Sequence, residues 1–130
     1  RDRIRVIASG KILTGFHMVR AIALGADLCA SARGMMLAMG CIQSLRCNTN
    51  HCPTGITTHN RKLQKGLVPK HKSVRVANYI KNIEFEVGTI AHSCGVRTPR
   101  DLNRSHARIV LENGTSISFE ELYPCKSSVH

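Results

Sequence analysis

The sequence predicts an α/β fold, with strands and helices alternating and the strands pairing in parallel. Three observations carry that expectation. Two short apolar runs each end in a small-residue loop, each loop opens a stretch of helical spacing, and the connections between them are short.

Ile4-Arg5-Val6-Ile7-Ala8 is a β-branched run closed by Ser9-Gly10, the pattern of a buried strand ending in a loop. Thr14 can cap a helix from Gly15 to Leu24, where Phe16, Val19, Ile22 and Ala23 recur at helical spacing and Gly25 supplies the stop. Ala26 to Ala30 reads as a second strand ending at Ser31, and a second helical run, Met35 to Met39, follows from Gly34. Two βα units can neither close a barrel nor cover both faces of a sheet. The first residue is Arg1, not Met, and the expectation is a segment of something larger.

Beyond Cys52 the character changes. Pro53 to Lys72 is rich in Thr, Lys, His, Gly and Pro and reads as an irregular, solvated connection. Ser73 to Cys94 is the longest helical candidate, with Val74, Ala77, Ile80, Phe85, Val87 and Ile90 as its apolar set and Gly95 as its end. Thr98 to Leu102 reads as a turn into one more helical turn. Residues 109–119 hold a candidate hairpin around Asn113-Gly114, and the residues from Lys126 read as a frayed end.

With 130 residues the chain has the length of one domain, and 42% hydrophobic residues are enough for a packed core. There is no Trp and only five Phe or Tyr, so that core is aliphatic. Nineteen Lys and Arg against eight Asp and Glu give a net charge of +11. The cations are spread along the chain and aromatic residues for base stacking are scarce, which disfavours nucleic acid as the main partner. The longest apolar stretch, around Gly34 to Leu45, is too short to span a bilayer and contains Gly40, Cys41 and Gln43, so no membrane role is expected. The charged N-terminus lacks a secretory signal's apolar core, and the expectation is a cytoplasmic protein.

Two loops carry candidate anion chemistry. Ser9-Gly10-Lys11 leaves the first strand, and Gly10 lets backbone N–H groups approach a phosphate closely. Ser31-Ala32-Arg33 leaves the second strand in the same way, with Ser31 and Arg33 as donors. A Gly turn before a helix is more often only a turn. Consecutive βα loops late in a (β/α)8 barrel are, however, a common place for a phosphate.

Cys41, Cys47 and Cys52 fall within twelve positions. On one continuous helix Cys41 and Cys47 would point about 240° apart, so the chain must leave the helix between them to bring the thiols together. Cys47-Asn48-Thr49-Asn50 supplies turn formers and Pro53 forbids helical continuation. Zinc sites favour CxxC pairs, which are absent, and plant-type ferredoxin spacing does not match. Three thiolates suit a three-iron cluster, or a four-iron one with a further ligand; His51 beside Cys52 is awkward as a zinc ligand. Buried core cysteines remain the plainer alternative. Cys29, Cys94 and Cys125 are isolated and read as core or surface residues.

The runs Ala8-Ser9-Gly10-Lys11-Ile12, Gly25-Ala26-Asp27, Ser31-Ala32-Arg33-Gly34, Gly40-Cys41-Ile42-Gln43 and Cys47-Asn48-Thr49-Asn50-His51-Cys52-Pro53-Thr54-Gly55 resemble the FMN-binding synthase domain of glutamate synthases. The shorter, archaeal-type members look most alike. Resemblance is strong from Arg5 to His59, weaker to Cys94 and absent thereafter. The cysteine pattern is specific to the family, whereas the βα loops are common to FMN barrels.

The resemblance implies that residues 1–59 form the last two βα units of a (β/α)8 TIM barrel with an iron–sulfur loop, and that residues 60–130 form a C-terminal extension. Ser9, Gly10, Lys11, Ser31, Ala32 and Arg33 would meet the FMN phosphate, and Cys41, Cys47 and Cys52 would bind a 3Fe-4S cluster. The family reduces 2-iminoglutarate, formed from 2-oxoglutarate and ammonia, to glutamate. Implied partners are the rest of the barrel, a glutamine amidotransferase domain or subunit, and an electron donor, either an NAD(P)H-dependent subunit or ferredoxin. Lys11 departs from the larger bacterial enzymes, which usually have Gly there. Residues for 2-oxoglutarate and the flavin ring would lie on earlier strands, so no catalytic residue is expected here and the chain alone should be inactive. Alternatives are an N-methylglutamate synthase-like enzyme, another FMN barrel oxidoreductase, or a basic zinc-binding nucleic-acid module.

Overall fold

A computed structural model describes residues 3–124; the frayed end expected from Lys126, and Cys125, lie outside them. The fold is mixed α/β. Strand β1 (Ile7–Ser9) and strand β2 (Leu28–Ala30) pair in parallel with Ser9 opposite Ala30, joined by helix α1 (Gly15–Ala23). Both strands are shorter than the runs that predicted them. Asp27 fixes their entry: its carboxylate accepts the Val6 N–H at 2.7 Å, and its own N–H donates to the Val6 carbonyl at 2.9 Å.

Local chemistry sets the ends of α1. The Thr14 hydroxyl accepts the His17 N–H, and Gly25 adopts φ +108° while the N–H groups of Gly25 and Ala26 close on Ile22 and Ala21. Helix α2 (Ala32–Ala38) starts two residues before Gly34 and is followed by Met39 as its cap and Gly40 at φ +98°. Cys41 therefore follows the helix and is not part of it. The stretch expected to be wholly irregular contains a short helix α3 (Arg61–Gln64), capped by Asn60 Oδ1 on the Lys62 N–H at 2.9 Å.

Helix α4 (Pro69–Ser93) is the dominant element. It begins four residues before the expected start, because Pro69 is tolerated in a first turn where its missing N–H has no partner to lose. Its packed seam runs through Lys72, Val76, Tyr79, Ile83, Val87, Ala91 and Cys94, at spacings of three and four. The sequence-predicted apolar set overlaps this seam only in part: Val74, Ile80 and Phe85 are exposed, Phe85 at 75%. Val19, Ala91 and Leu102 form the core between α1, α4 and the following segment, with Ile22, Val87, Ile90 and Val96 against them.

After α4, two 3-10 turns (Pro99–Asp101 and Arg104–His106) lead into an antiparallel hairpin. It comprises β3 (Arg108–Val110) and β4 (Ser116–Ser118), with Ile109 opposite Ile117. Its loop is longer than a two-residue Asn-Gly turn: the Gly114 N–H returns to Leu111, Gly114 takes φ +79°, and the Leu111 N–H donates to Thr115. A short helix α5 (Phe119–Leu122) closes the described chain, capped by Ser118. Among the described residues no helix is long and apolar enough to cross a membrane.

Little of this surface is covered. The accessible area is 9943 Å², against roughly 6,800 Å² for a compact protein of the same mass. The β1–β2 sheet leaves Ile7 63% and Leu28 56% exposed, and Ile4 and Val6 are exposed beside them.

Two predictions follow from this packing. A Cβ at Gly15 would fall 2.5 Å from Glu86 Cβ and 3.0 Å from the Val87 nitrogen, whereas Gly88 has open space around it. Gly15→Ala should therefore cost about 1–3 kcal/mol in denaturant melts of the intact protein, and Gly88→Ala should be neutral or gain up to about 1 kcal/mol. The second concerns Glu121, whose carboxyl is held below the usual carboxylate range, first by the Ser118 hydroxyl and further by the Ser118 backbone and Arg108, against partial burial. A folded-state value below the unfolded one stabilises above the unfolded pKa and is lost as pH falls through the folded value. The stability gap between wild type and Glu121→Gln should begin to narrow as pH falls below about 4.5, the carboxyl's ordinary value; a gap that does not change with pH would refute the assignment.

Candidate functional site

Parallel pairing puts the loops after β1 and β2 at the same end of the sheet, since Ser9 and Ala30 are in register. Within the first loop Gly10 takes φ +94° and Lys11 φ +54°. Two consecutive left-handed residues, one of them non-glycine, hold on the order of 1 kcal/mol of backbone strain at Lys11. Ile12 then turns inward and is 6% exposed. Lys11 and Arg33 are both exposed.

Ser31 has a role that sequence reasoning did not supply. Its hydroxyl makes no cap for α2; it donates to the Ile12 carbonyl at 2.6 Å and meets the Tyr79 hydroxyl at 3.0 Å. Tyr79 in turn donates to the Leu13 carbonyl at 2.9 Å. The two loops are thus fastened to one another and to α4. At the start of α1 the Gly15 N–H donates to Glu86 Oε2 at 2.7 Å, so that donor is taken by the protein's own carboxylate.

The cysteine loop is shaped by left-handed residues at Gln43, Leu45 and Asn50, with φ of 55°, 57° and 63°. Asn50 anchors it: its side chain accepts the His59 N–H at 2.6 Å and its carbonyl accepts the Thr58 hydroxyl at 2.5 Å. The Cys52 sulfur is buried and lies 3.3 Å from the Thr54 hydroxyl. That hydroxyl, with the N–H groups of Thr57, Thr54 and Ile56, lowers the thiol to about 6 against the opposing effect of burial. These donors favour the thiolate form of Cys52. Thr57 Oγ1, in the same turn, is buried without a hydrogen-bond partner among the described residues. A stabilised thiolate beside an unused hydroxyl donor fits the sulfur-rich environment of an iron–sulfur centre.

Cys41 is half-buried, with its sulfur 3.4 Å from the Gln43 N–H, and Cys47 is exposed. Among the described residues no three His, Cys, Asp or Glu side chains are gathered to hold a metal ion. All five described cysteines are free thiols; burial raises that of Cys29 on β2.

Open clefts of about 870 and 800 Å³ lie elsewhere, lined by residues such as Val6, Ala21, Ile22, Gly25 and Leu102. None of Ser9–Lys11, Ser31–Arg33 or the three clustered cysteines lines either one.

The conserved region of glutamate synthase, as a family model, matches residues 1–97. A glutamate synthase large subunit-like protein of Bacillus subtilis is 38% identical over 122 residues, 94% of this chain and 23% of that protein. An archaeal glutamate synthase (NADPH) of Methanocaldococcus jannaschii is 34% identical over the same share of each chain. A ferredoxin-dependent glutamate synthase of Synechocystis is 33% identical over 104 residues, 78% of this chain and 6% of that protein. The chain thus spans less than a quarter of the length of these relatives. Matches covering 94% of the chain reach well past Cys94, so similarity extends into the segment where the sequence alone offered no resemblance.

Because Asn50 holds the cysteine loop through two acceptors and a left-handed backbone, Asn50→Ala should loosen that loop selectively. The expected loss is about 1–2 kcal/mol of local stability, read as faster hydrogen exchange at the His59 amide with α1 and α4 amides unchanged. Uniform acceleration across the chain would contradict a local role.

Proposed function

The chain belongs to the glutamate synthase family, and on that premise we propose that it forms the last two βα units of an FMN-binding (β/α)8 barrel. In this reading residues 1–59 close the barrel and carry the cysteine loop, and residues 60–130 form an extension that braces them. One observation carries it above the others: the loops at Ser9–Lys11 and Ser31–Arg33 leave parallel, register-matched strands at one end. That is the edge at which barrel enzymes build their sites. The exposed apolar residues Ile4, Val6, Ile7 and Leu28 are accounted for if neighbouring strands and helices of the barrel cover them.

FMN, when bound, supplies hydride transfer to an imine, and an iron–sulfur cluster supplies single electrons. This chain's residues bind and orient. The Gly10 and Lys11 backbone gives a close approach for a phosphate, and the Lys11 ammonium and Arg33 guanidinium supply positive charge. Ser31 and Ala32 complete the second loop. Cys41, Cys47 and Cys52 would hold a 3Fe-4S cluster, with the hydroxyl of Thr54 and neighbouring N–H groups favouring the thiolate form of Cys52.

The whole protein would reduce 2-iminoglutarate, formed from 2-oxoglutarate and ammonia, to L-glutamate. Ammonia would come from a glutamine amidotransferase domain or subunit, and electrons from an NAD(P)H-dependent subunit or ferredoxin. Substrate and flavin-ring contacts would belong to other strands of the barrel, so this chain contributes no catalytic residue. The zinc and nucleic-acid alternative rests on charge and thiols alone, and the glutamate synthase relatives favour the flavin reading.

In the intact protein, purified anaerobically, flavin absorption should accompany a broad brown iron–sulfur absorption. Cys47→Ser should lose cluster iron, and with it electron delivery to the flavin, while keeping bound FMN. Unchanged iron content in that variant, or a colourless protein with stoichiometric zinc, would overturn the assignment.

A further inference from the structure

The hydroxyl of Tyr79 on α4 stands between the two candidate phosphate loops. It donates to the Leu13 carbonyl at 2.9 Å, in the segment following Ser9–Lys11, and contacts the Ser31 hydroxyl at 3.0 Å, at the head of the second loop. Ser31 also reaches back to the Ile12 carbonyl at 2.6 Å. Past the last strand pair these bonds connect one loop to the other. The ring fits because residue 34 is glycine: a Cβ there would lie 2.7 Å from Tyr79 Cζ and 2.6 Å from Ser31 Oγ, with the Tyr79 hydroxyl nearer still. Gly34 is buried and has an ordinary helical backbone, so the close approach, not its conformational freedom, is what requires glycine there.

Two hydroxyls carry two protons for three contacts. Either oxygen can donate across the 3.0 Å pair: if Ser31 turns its single proton from the Ile12 carbonyl towards an anion, Tyr79 can hold it by turning its own proton from the Leu13 carbonyl to the Ser31 oxygen.

We propose that Tyr79 is a positioning residue for the phosphate of the bound flavin, acting through Ser31 and the Leu13 carbonyl. The inference rests on the FMN reading given above and deepens it: α4, outside both βα units, sets the spacing of the loops that would grip the phosphate. Tyr79 itself touches no ligand in this scheme. Its loss would not remove a phosphate contact but would let the two loops drift relative to each other.

The distinguishing ligand is riboflavin, which has the same ring system as FMN and lacks only the phosphate. In the flavin-stripped intact protein, Tyr79→Phe should weaken FMN binding about tenfold while riboflavin affinity stays within about twofold of wild type. Gly34→Ala, which leaves the tyrosine in place but denies it its seat, should show the same selectivity and provides an independent reading if one variant folds poorly. Unchanged FMN affinity in both variants, or equal losses for FMN and riboflavin, would overturn the positioning role and leave the flavin assignment standing. A wild-type protein that binds neither FMN nor riboflavin would instead overturn the flavin assignment, and this inference with it.

Discussion

How closely α4 approaches three glycines is the constraint on which the rest of this structure depends. Gly40, Gly34 and Gly15 each meet a different turn of the helix: Lys72 and Arg75 at Gly40, Tyr79 at Gly34, and Glu86 at Gly15. The first contact borders the cysteine loop, the second joins the two βα loops, and the third caps α1. A side chain at Gly34 would collide with the Tyr79 ring and one at Gly15 with Glu86 Cβ and the Val87 backbone, whereas at Gly40 only the flexible ends of Lys72 and Arg75 come near. Apolar burial supplies the attraction, but it is sparse; no large side chain among the described residues is fully buried. Polar fasteners therefore carry an unusual share of the positional information.

The sparse core follows from the architecture. A parallel pair of strands is normally covered on both faces and flanked by further strands, since unpaired backbone groups and apolar side chains are otherwise left to water. Here α1 packs against the pair and α4 packs against α1 and α2, while Ile7 and Leu28 of the sheet are exposed. Helix α4, 25 residues long, meets Gly40, Gly34 and Gly15 in turn through Lys72, Tyr79 and Glu86.

Features fixed by a few adjacent residues were legible in the sequence. The Thr14 cap, the Gly25 and Gly95 stops and the turn at Thr98 each arise within about four residues of chain, and the structure places all of them as read. Features fixed by distant partners were not. Apolar character alone does not mark the buried face of α4: Val74, Ile80 and Phe85 are apolar but exposed, whereas Ile83 and Ala91 are buried. Pro69 reads as loop in the sequence but opens α4, since proline marks a helix start as readily as a break. Tyr79 and Glu86 were invisible as site residues, since their partners lie 66 and 71 positions away. The available signal lay in those partners: glycines at the first turns of two helices, where side chains would ordinarily be tolerated, mark places that something must approach.

That arrangement couples the candidate phosphate end to the candidate cluster end through one rigid element. Lys72 and Arg75 bring positive charge to the backbone just before Cys41, and Tyr79, one to two turns along the same helix, sets the phosphate loops. A helix cannot shift one of these contacts without moving the others, because its internal hydrogen bonds keep successive turns in register. Electron transfer from a cluster to a flavin depends on the distance between them. On the flavin and cluster assignment proposed above, a single helix in contact with both loops would hold the two cofactors at a fixed separation.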